Sequence, residues 1–342
     1  MTGLELTAVL ALNAEGVRAA PSPIAQIAVD IGGTKIAVTV TVDRAKPAVV
    51  RRSTRTVLRS APSPEEGMSQ LIRDALHAHG LTLEQVGSVV VGIPGVIDRH
   101  TGTIASCPNL PELDGRALGR RMSESLGLRV RVENDVNVTA VGEATAGRGQ
   151  GIADVACILV GSGIGCGLIL RGELYVGADG TAGEFGHTIV AADGRPCTCG
   201  SRGCLEMYCS GKALAARAEA LGLDSAHSSK ARGEFHGAEG LIEAARHGDQ
   251  AARRELDEAF TYLGLGICNL VNIVNPRLVI LGGGVMNGWP TAIDRVREIV
   301  KAGSRLVARD RVEIEATALG DEAFAIGAAR LAAAWRTLDG GS

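Results

Sequence analysis

Aromatic side chains make up only 3% of this 342-residue chain, too few for a surface that stacks nucleic-acid bases. An excess of charge is also missing. The 35 Lys and Arg stand against 38 Asp and Glu, a formal net charge of −3, which argues against a broad polyanion-binding face. No apolar run approaches the roughly 20 residues that a bilayer-spanning helix needs. The run from Leu6 to Leu12 follows Glu5 with no basic residue before it, so it makes a poor secretory signal. Nor do the eight cysteines read as a disulfide framework, because the chain is long and three of them cluster at metal-ligand spacing. That usage suits a reducing compartment. The expectation is a cytoplasmic protein with neither membrane nor nucleic-acid partners.

What the chain does have is glycine. Its 46 glycines gather in short loops after strands, where backbone N–H groups can approach a ligand. With 46% hydrophobic residues the chain can bury a sizeable core, and its length allows two domains. Its most distinctive stretch is Glu184-Phe185-Gly186-His187 followed by Cys197-Thr198-Cys199-Gly200-Ser201-Arg202-Gly203-Cys204-Leu205-Glu206. Three thiols spaced C-x-C-x4-C and one imidazole offer the closed Cys₃His shell of a structural Zn²⁺ site, with no position left open for water. Gly200 and Gly203 lie between the thiolates, where a tight loop needs glycine's freedom in φ. The plain alternative is a set of buried, unligated thiols packing as small hydrophobes. Glu184 and Glu206 bracket the cluster and present carboxylates from a metal-tied wall.

Taken in order, residues 1–23 read as a tail. An apolar strand from Ile24 ends in Asp30 and runs through Ile31-Gly32-Gly33-Thr34-Lys35 into a second strand, Ile36 to Val42. Strand, glycine turn, strand is a hairpin rather than a Walker loop. It can still cradle phosphate with backbone amides and the Thr34 hydroxyl, and Asp30 is placed to hold Mg²⁺ through water. An ordinary polar hairpin is the competing reading. A third strand is expected over Ala48–Leu58, then a helix opened by Ser63-Pro64-Glu65-Glu66 and running to about His79. Val86 to Gly92 reads as a buried strand ending in Ile93-Pro94-Gly95-Val96, a helix runs from Arg116 to Leu126, and a strand from Leu128 leads into Glu133-Asn134-Asp135-Val136-Asn137. Asp135 thus falls at a strand end just before a helix, the edge where open α/β sheets bind ligands. An N-cap role is equally open to it. Val155–Val160, the turn Gly161-Ser162-Gly163-Ile164-Gly165 and Cys166–Arg171 repeat the opening plan, so a duplicated fold with a nucleotide between its halves is expected. The remainder reads as a loop at Asp224–His236, helices at Gly211–Leu221, Gly237–His247, Asp249–Val274 and about Pro290–Ala302, strands at Arg277–Leu281 and Val312–Ala316, and a closing helix at Asp321–Arg336. Glu234-Phe235-His236 mimics the earlier acid–His pair without its glycines and reads as surface.

Six motifs in order, D-I-G-G-T-K at Asp30, E-N-D-V-N at Glu133, G-S-G-I-G at Gly161, G-E-F-G-H at Gly183, C-x-C-G-x-x-G-C-x-E at Cys197 and L-G-G-G-V at Leu281, resemble those of the ROK family of sugar kinases and sugar-responsive repressors. The resemblance spans about Ile24 to Ala334 and is nearest to the bacterial ATP-dependent glucokinases. It implies an α/β, two-lobed actin/hexokinase-like (ribonuclease H-like) fold with a duplicated βββαβα core and a cleft between lobes. The small lobe would take 24–137 and the closing helix 321–338, and the large lobe 138–320 with the zinc loop 183–206. By the same resemblance Asp135 matches the catalytic base for a hexose 6-hydroxyl. Asn109, Asn134, Glu184, His187 and Glu206 match residues that bind sugar hydroxyls, and the loop shape around Gly95 bears on which sugar is taken. Gly32, Gly33, Thr34 and Lys35, with Gly161, Ser162, Gly163 and Gly165, match the ATP phosphate loops. Gly282, Gly283 and Gly284 match a nucleoside wall, and His187, Cys197, Cys199 and Cys204 match the zinc site. The implied cofactors are ATP, Mg²⁺ and structural Zn²⁺, and a homodimer is implied.

Two departures stand out. Cys166 replaces a usual glycine, with little effect expected if it faces the core, and the segment before Asp30 is longer than most kinases of the family carry. Kinases for N-acetylglucosamine, N-acetylmannosamine, kanosamine, mannose, fructose and allose share most of these motifs, so the sugar stays open. Polyphosphate is a lesser alternative donor. A regulator is the competing class, but fewer than thirty residues precede Asp30, too few for a winged helix-turn-helix, and none forms a basic recognition helix.

Overall fold

The computed structural model describes residues 25–42, 47–223, 238–303 and 311–339. The tail expected at 1–23 and the loop expected at Asp224–His236, with its Glu234-Phe235-His236, lie outside them. The chain opens with an antiparallel meander of β1 (Ala25–Ile31), β2 (Lys35–Val42) and β3 (Ala48–Ser53). Helices α1 (Thr54–Arg59) and α2 (Pro64–Ala78) lead to β4 (Val86–Ile93), a small hairpin of β5 (Val96–Asp98) and β6 (Thr103–Ser106), α3 (Leu118–Leu126) and β7 (Val130–Asn134). The sheet order is β3-β2-β1-β4-β7, with β4 and β7 running parallel to β1. Helix α4 (Asp135–Ala146) crosses to a second meander, β8 (Val155–Val160), β9 (Ile164–Leu170) and β10 (Glu173–Tyr175). There follow α5 (Glu206–Cys209), α6 (Gly211–Ala220), α7 (Ala238–Arg246), α8 (Gln250–Val274), β11 (Leu278–Gly282), α9 (Gly284–Gly288), α10 (Ala292–Gly303), β12 (Glu313–Ala316) and α11 (Glu322–Asp339). The second sheet, β10-β9-β8-β11-β12, repeats the plan of the first. The duplication expected from the two glycine hairpins is present strand for strand.

Local chemistry accounts for most element ends. Ser63 accepts the Glu66 N–H at 3.2 Å, Pro64 occupies the first turn, and Met68, Leu71, Ile72, Ala75 and Leu76 bury one face of α2. One expectation fails. The strand read over Ala48–Leu58 stops at Ser53, and Thr54–Arg59 is helical. Thr54 is the cause: its N–H donates to Thr34 O at 3.0 Å and its hydroxyl to Gly32 O at 2.7 Å. These bonds fold the chain under the first glycine turn, a non-local pairing that strand propensity does not register. Cys166 is buried in the core, which meets the condition on which its replacement of glycine has little effect.

Helices α4 and α11 join the two sheets. One core cluster takes Ala28 and Val90 from the first sheet, Cys157 and Ile280 from the second, Val138 and Val141 from α4, and Phe324, Ala328 and Leu331 from α11. The two helices touch backbone to backbone. A Cβ on Gly142 would sit 1.9 Å from Ala323 O, and one on Gly327 would sit 1.8 Å from Val138 O. Gly327→Ala therefore forces the helices apart, and overpacking of this kind typically costs about 1–3 kcal/mol and at times more. A loss of at least about 2 kcal/mol in urea unfolding is expected, and an unchanged midpoint would contradict the close approach. Among the described residues, no helix is long and apolar enough to cross a membrane.

Candidate active site

The parallel strands of both sheets end on loops that carry most of the singled-out residues, as ligand sites of α/β sheets do. In the first sheet, β1 and β2 meet at Gly32-Gly33-Thr34, where Gly32 N–H donates to Lys35 O at 2.9 Å. Asp30 lies near the end of β1, in register with Gly92 of β4. Beyond β4, Gly95 takes φ +145°, and a Cβ there would meet Ser106 O at 2.3 Å. Strand β7 delivers Asn134, and α4 begins on Asp135. In the second sheet, the β8–β9 turn closes with Gly161 N–H on Gly163 O at 2.9 Å. Gly283, at φ +92°, lays the end of β11 against Val160 of β8, so Gly282 to Gly284 border that turn.

The start of α4 settles which residue caps it. Asn134 Oδ1 accepts the N–H groups of Val136 at 3.0 Å and Asn137 at 3.1 Å, while its Nδ2 donates to Gly95 O at 3.3 Å. Asn134, singled out for sugar, thus spends much of its amide on the helix end. Asp135 Oδ1 accepts from its neighbour Val136 at 2.9 Å. Burial pushes the Asp135 carboxyl up to about 6, against the pull of backbone N–H groups, and the charge of Glu184 adds to the rise. A carboxylate titrating near neutrality in a cleft has the character of a proton acceptor. Beneath it, Glu133 is buried and holds the strand end. Its Oε1 accepts from Asn134 N at 3.0 Å and Asn137 Nδ2 at 3.1 Å, and its Oε2 pairs with Arg99.

The second sheet contributes the opposite wall. Gly183 and Gly186 lie on β9, where a Cβ would stand 2.0 Å from Cys166 O and 2.4 Å from Ile164 O respectively. That close approach sets Glu184 and His187 beside the β8–β9 turn. Glu184 is raised by burial, partly offset by His187. Glu206 opens α5 and accepts the Ile164 N–H on Oε2 at 2.9 Å, so one of its oxygens anchors the turn itself. Gly165 lets the turn close on Val136 of α4, since a Cβ would reach its Cγ2 at 2.5 Å. Asp135, the acid–His segment and the second glycine turn are thereby brought together. Asn109 comes from the first half, where its Oδ1 accepts from Lys212 Nζ at 2.7 Å.

The ligand atoms of His187, Cys197, Cys199 and Cys204 all lie within 4.8 Å of one another. Cys197 Sγ stands 3.6 Å from His187 Nδ1, and Cys199 Sγ stands 3.6 Å from Cys204 Sγ. Zn–S bonds of about 2.3 Å and Zn–N bonds of about 2.0–2.1 Å give tetrahedral edges of roughly 3.5–3.8 Å, so the donor set fits a closed four-coordinate shell. Gly200 and Gly203 take φ +91° and +74°, and a Cβ on Gly203 would collide with Ala191 O at 1.7 Å. With Nδ1 facing the thiols, His187 turns Nε2 toward the cleft, 3.9 Å from Glu184 Oε2.

The model described as ROK family matches residues 26–334. The chain belongs to the ROK family. This ROK chain is 32% identical over 312 residues to the glucokinase of Thermotoga maritima, covering 89% of this chain and 96% of that one. It is 30% identical to the xylose repressor of Caldicellulosiruptor bescii, over 75% of this chain and 65% of the repressor. Among solved structures it resembles a ROK family glucokinase from Streptomyces griseus in complex with glucose and AMPPNP, at 33% identity and a TM-score of 0.74, covering 90% of this chain and 98% of that one. The fold is the two-lobed, actin/hexokinase-like one. Three contributors carry no sequence signal of their own. Thr54, Arg99 and Lys212 act through partners 22, 34 and 103 residues away; only the place of Lys212, one glycine after Ser210, hints at the adjoining turn.

Proposed function

We propose that this protein is an ATP-dependent kinase that phosphorylates a hexose on its 6-hydroxyl, with glucose as the leading substrate. The observation that carries the reading is Asp135, relieved of capping by Asn134 and raised to about 6 between the two glycine turns and the acid–His wall. Asp135 takes the hydroxyl proton as the new O–P bond forms and the bond to ADP breaks. Phosphoryl transfer asks mainly for in-line positioning and charge stabilisation. Glu184, His187 and Asn109 grip hydroxyls, Asn134 shapes the loop at Gly95, and Glu206 ties that grip to the Gly161–Gly165 turn. The other turn, Gly32 to Lys35, faces the same phosphates, and Gly282 to Gly284 bound the nucleoside. ATP with Mg²⁺, for which Asp30 is the candidate residue, supplies the phosphoryl group and offsets its charge. His187, Cys197, Cys199 and Cys204 would hold Zn²⁺, which would fix the His187 tautomer and leave Nε2 to meet a hydroxyl.

Because burial raises Asp135, the group is protonated and unable to accept below that value. Turnover should fall about tenfold per pH unit below about pH 6 and level off above it. A pH–rate profile checks this, and a flat profile from pH 5 to 8 would contradict the base assignment.

An ADP-release panel over glucose, N-acetylglucosamine, N-acetylmannosamine, kanosamine, mannose, fructose and allose tests substrate and class together. Preference for an amino sugar would move the assignment within the kinases. Bound DNA in a retardation assay, with no ADP from any sugar, would favour the regulator that the repressor relative represents. The same reading divides the chain into a small lobe (24–137 with 321–338) and a large lobe (138–320), places it in the cytoplasm, and makes it a homodimer. Ile273 and Leu265, exposed on α8, are available to such a pairing.

A further inference from the structure

Lys212 stands in the first turn of α6 with its backbone on the β8–β9 turn. Gly211 N–H donates to Gly161 O at 2.7 Å, and Lys212 N–H to Ser162 O at 3.4 Å. Its side chain leaves that half of the molecule and donates through Nζ to Asn109 Oδ1 at 2.7 Å. Asn109 sits in a turn closed by Leu110 N–H on Cys107 O at 2.9 Å. That turn is pinned to the end of β4 by the Cys107 thiol on Pro94 O at 2.8 Å, and to Asp114 by Cys107 N–H at 2.6 Å. Both ends of the Lys212–Asn109 bond are therefore mounted on fixed backbone, one at the second glycine turn and one beside Gly95.

Chemistry adds a direction. An ammonium only donates, so the amide oxygen of Asn109 must face Lys212 and its Nδ2 is the group left for a ligand. Oxygen and nitrogen of an asparagine amide are otherwise interchangeable in such a site. We propose that Lys212 is a positioning residue that ties the two lobes across the cleft and turns Asn109 to donate, not accept, toward a ligand hydroxyl. This rests on the sugar-kinase reading. In open solvent an exposed bond of this kind is worth little. Once a ligand excludes water, a charge-assisted bond is worth about tenfold or more in affinity.

The test compares Lys212→Ala, Lys212→Arg, Asn109→Ala, Asn109→Asp and the Lys212→Ala/Asn109→Ala double variant, by glucose kinetics and small-angle scattering. Lys212→Ala should raise the glucose KM about tenfold with kcat within about threefold, and Lys212→Arg should recover most of the loss. Asn109→Asp keeps a partner for the ammonium but loses the donor. It should raise KM as far as Asn109→Ala while leaving the ligand-free radius of gyration at the wild-type value. The double variant should be no worse than the worse single one. A Lys212→Ala KM within twofold of wild type, or additive single effects, would overturn the proposal. If the wild type releases no ADP with any sugar, the kinase reading fails separately, and calorimetric glucose binding decides the positioning role. An equal loss of affinity in Lys212→Ala and Asn109→Ala supports it, and an unchanged affinity in Lys212→Ala overturns it.

Discussion

Asp135→Asn should lower turnover by about three orders of magnitude while glucose affinity stays within about threefold of wild type. General bases contribute roughly 10²–10⁴ in rate, and asparagine keeps the shape and the carbonyl oxygen that accepts the Val136 N–H. The asparagine cannot take the hydroxyl proton. Stability separates this from the capping reading. Asn134 holds the two first-turn N–H groups of α4, so Asp135→Asn should leave the melting temperature nearly unmoved. Asn134→Ala should cost about 1 kcal/mol, the usual penalty for a lost cap. ADP release, calorimetric sugar binding and thermal melting measure the three quantities. Turnover within tenfold of wild type would remove Asp135 from the chemistry.

The second large effect concerns the thiol shell. Cys199→Ser should abolish stoichiometric zinc and raise the sugar KM at least about tenfold, and a strong chelator should do the same to the native chain. A structural zinc site carries an apparent binding free energy of about 10–16 kcal/mol at neutral pH, so its loss releases the whole 183–206 loop. Cys199 is the exposed member of the set. The Ser201 N–H first, then the neighbouring thiols and His187, hold its thiol down to about 7. It therefore loses its proton readily near neutrality, which a serine hydroxyl does not. Without the shell, His187 loses what aims its ring, and with it the contact near Glu184. Metal analysis beside kinetics separates the possibilities: zinc lost with KM unchanged would make the ion structural only.

Much of the architecture was legible because its signals are local. Ser63, Pro64 and two acids announce α2, and apolar runs announce β1, β4 and β8. The repeated strand–glycine–strand string announces the duplication that the two matching sheet orders display. The misread end of β3 shows the limit. Val57 and Leu58 look like strand residues, but Thr54 binds Gly32 and Thr34 across the sheet and the chain turns there. The site divides along the same line. Thiol spacing names the donor set at once, whereas the role of Asp135 depends on a neighbour's amide orientation and on burial.

By itself, then, the order of residues determined which side chains are present to bind metal, cradle phosphate and accept a proton, and that two similar halves exist. It did so because those patterns repeat within a turn or a hairpin. Only the tertiary structure decided that Asn134 and not Asp135 caps α4, that His187 offers Nδ1 to the thiols and Nε2 to the cleft, and that Lys212 meets Asn109. The last two rest on distant segments meeting, Gly186 against Ile164 O for His187 and Gly211 N–H on Gly161 O for Lys212. Contacts between distant segments are set by packing, which no spacing along the chain records.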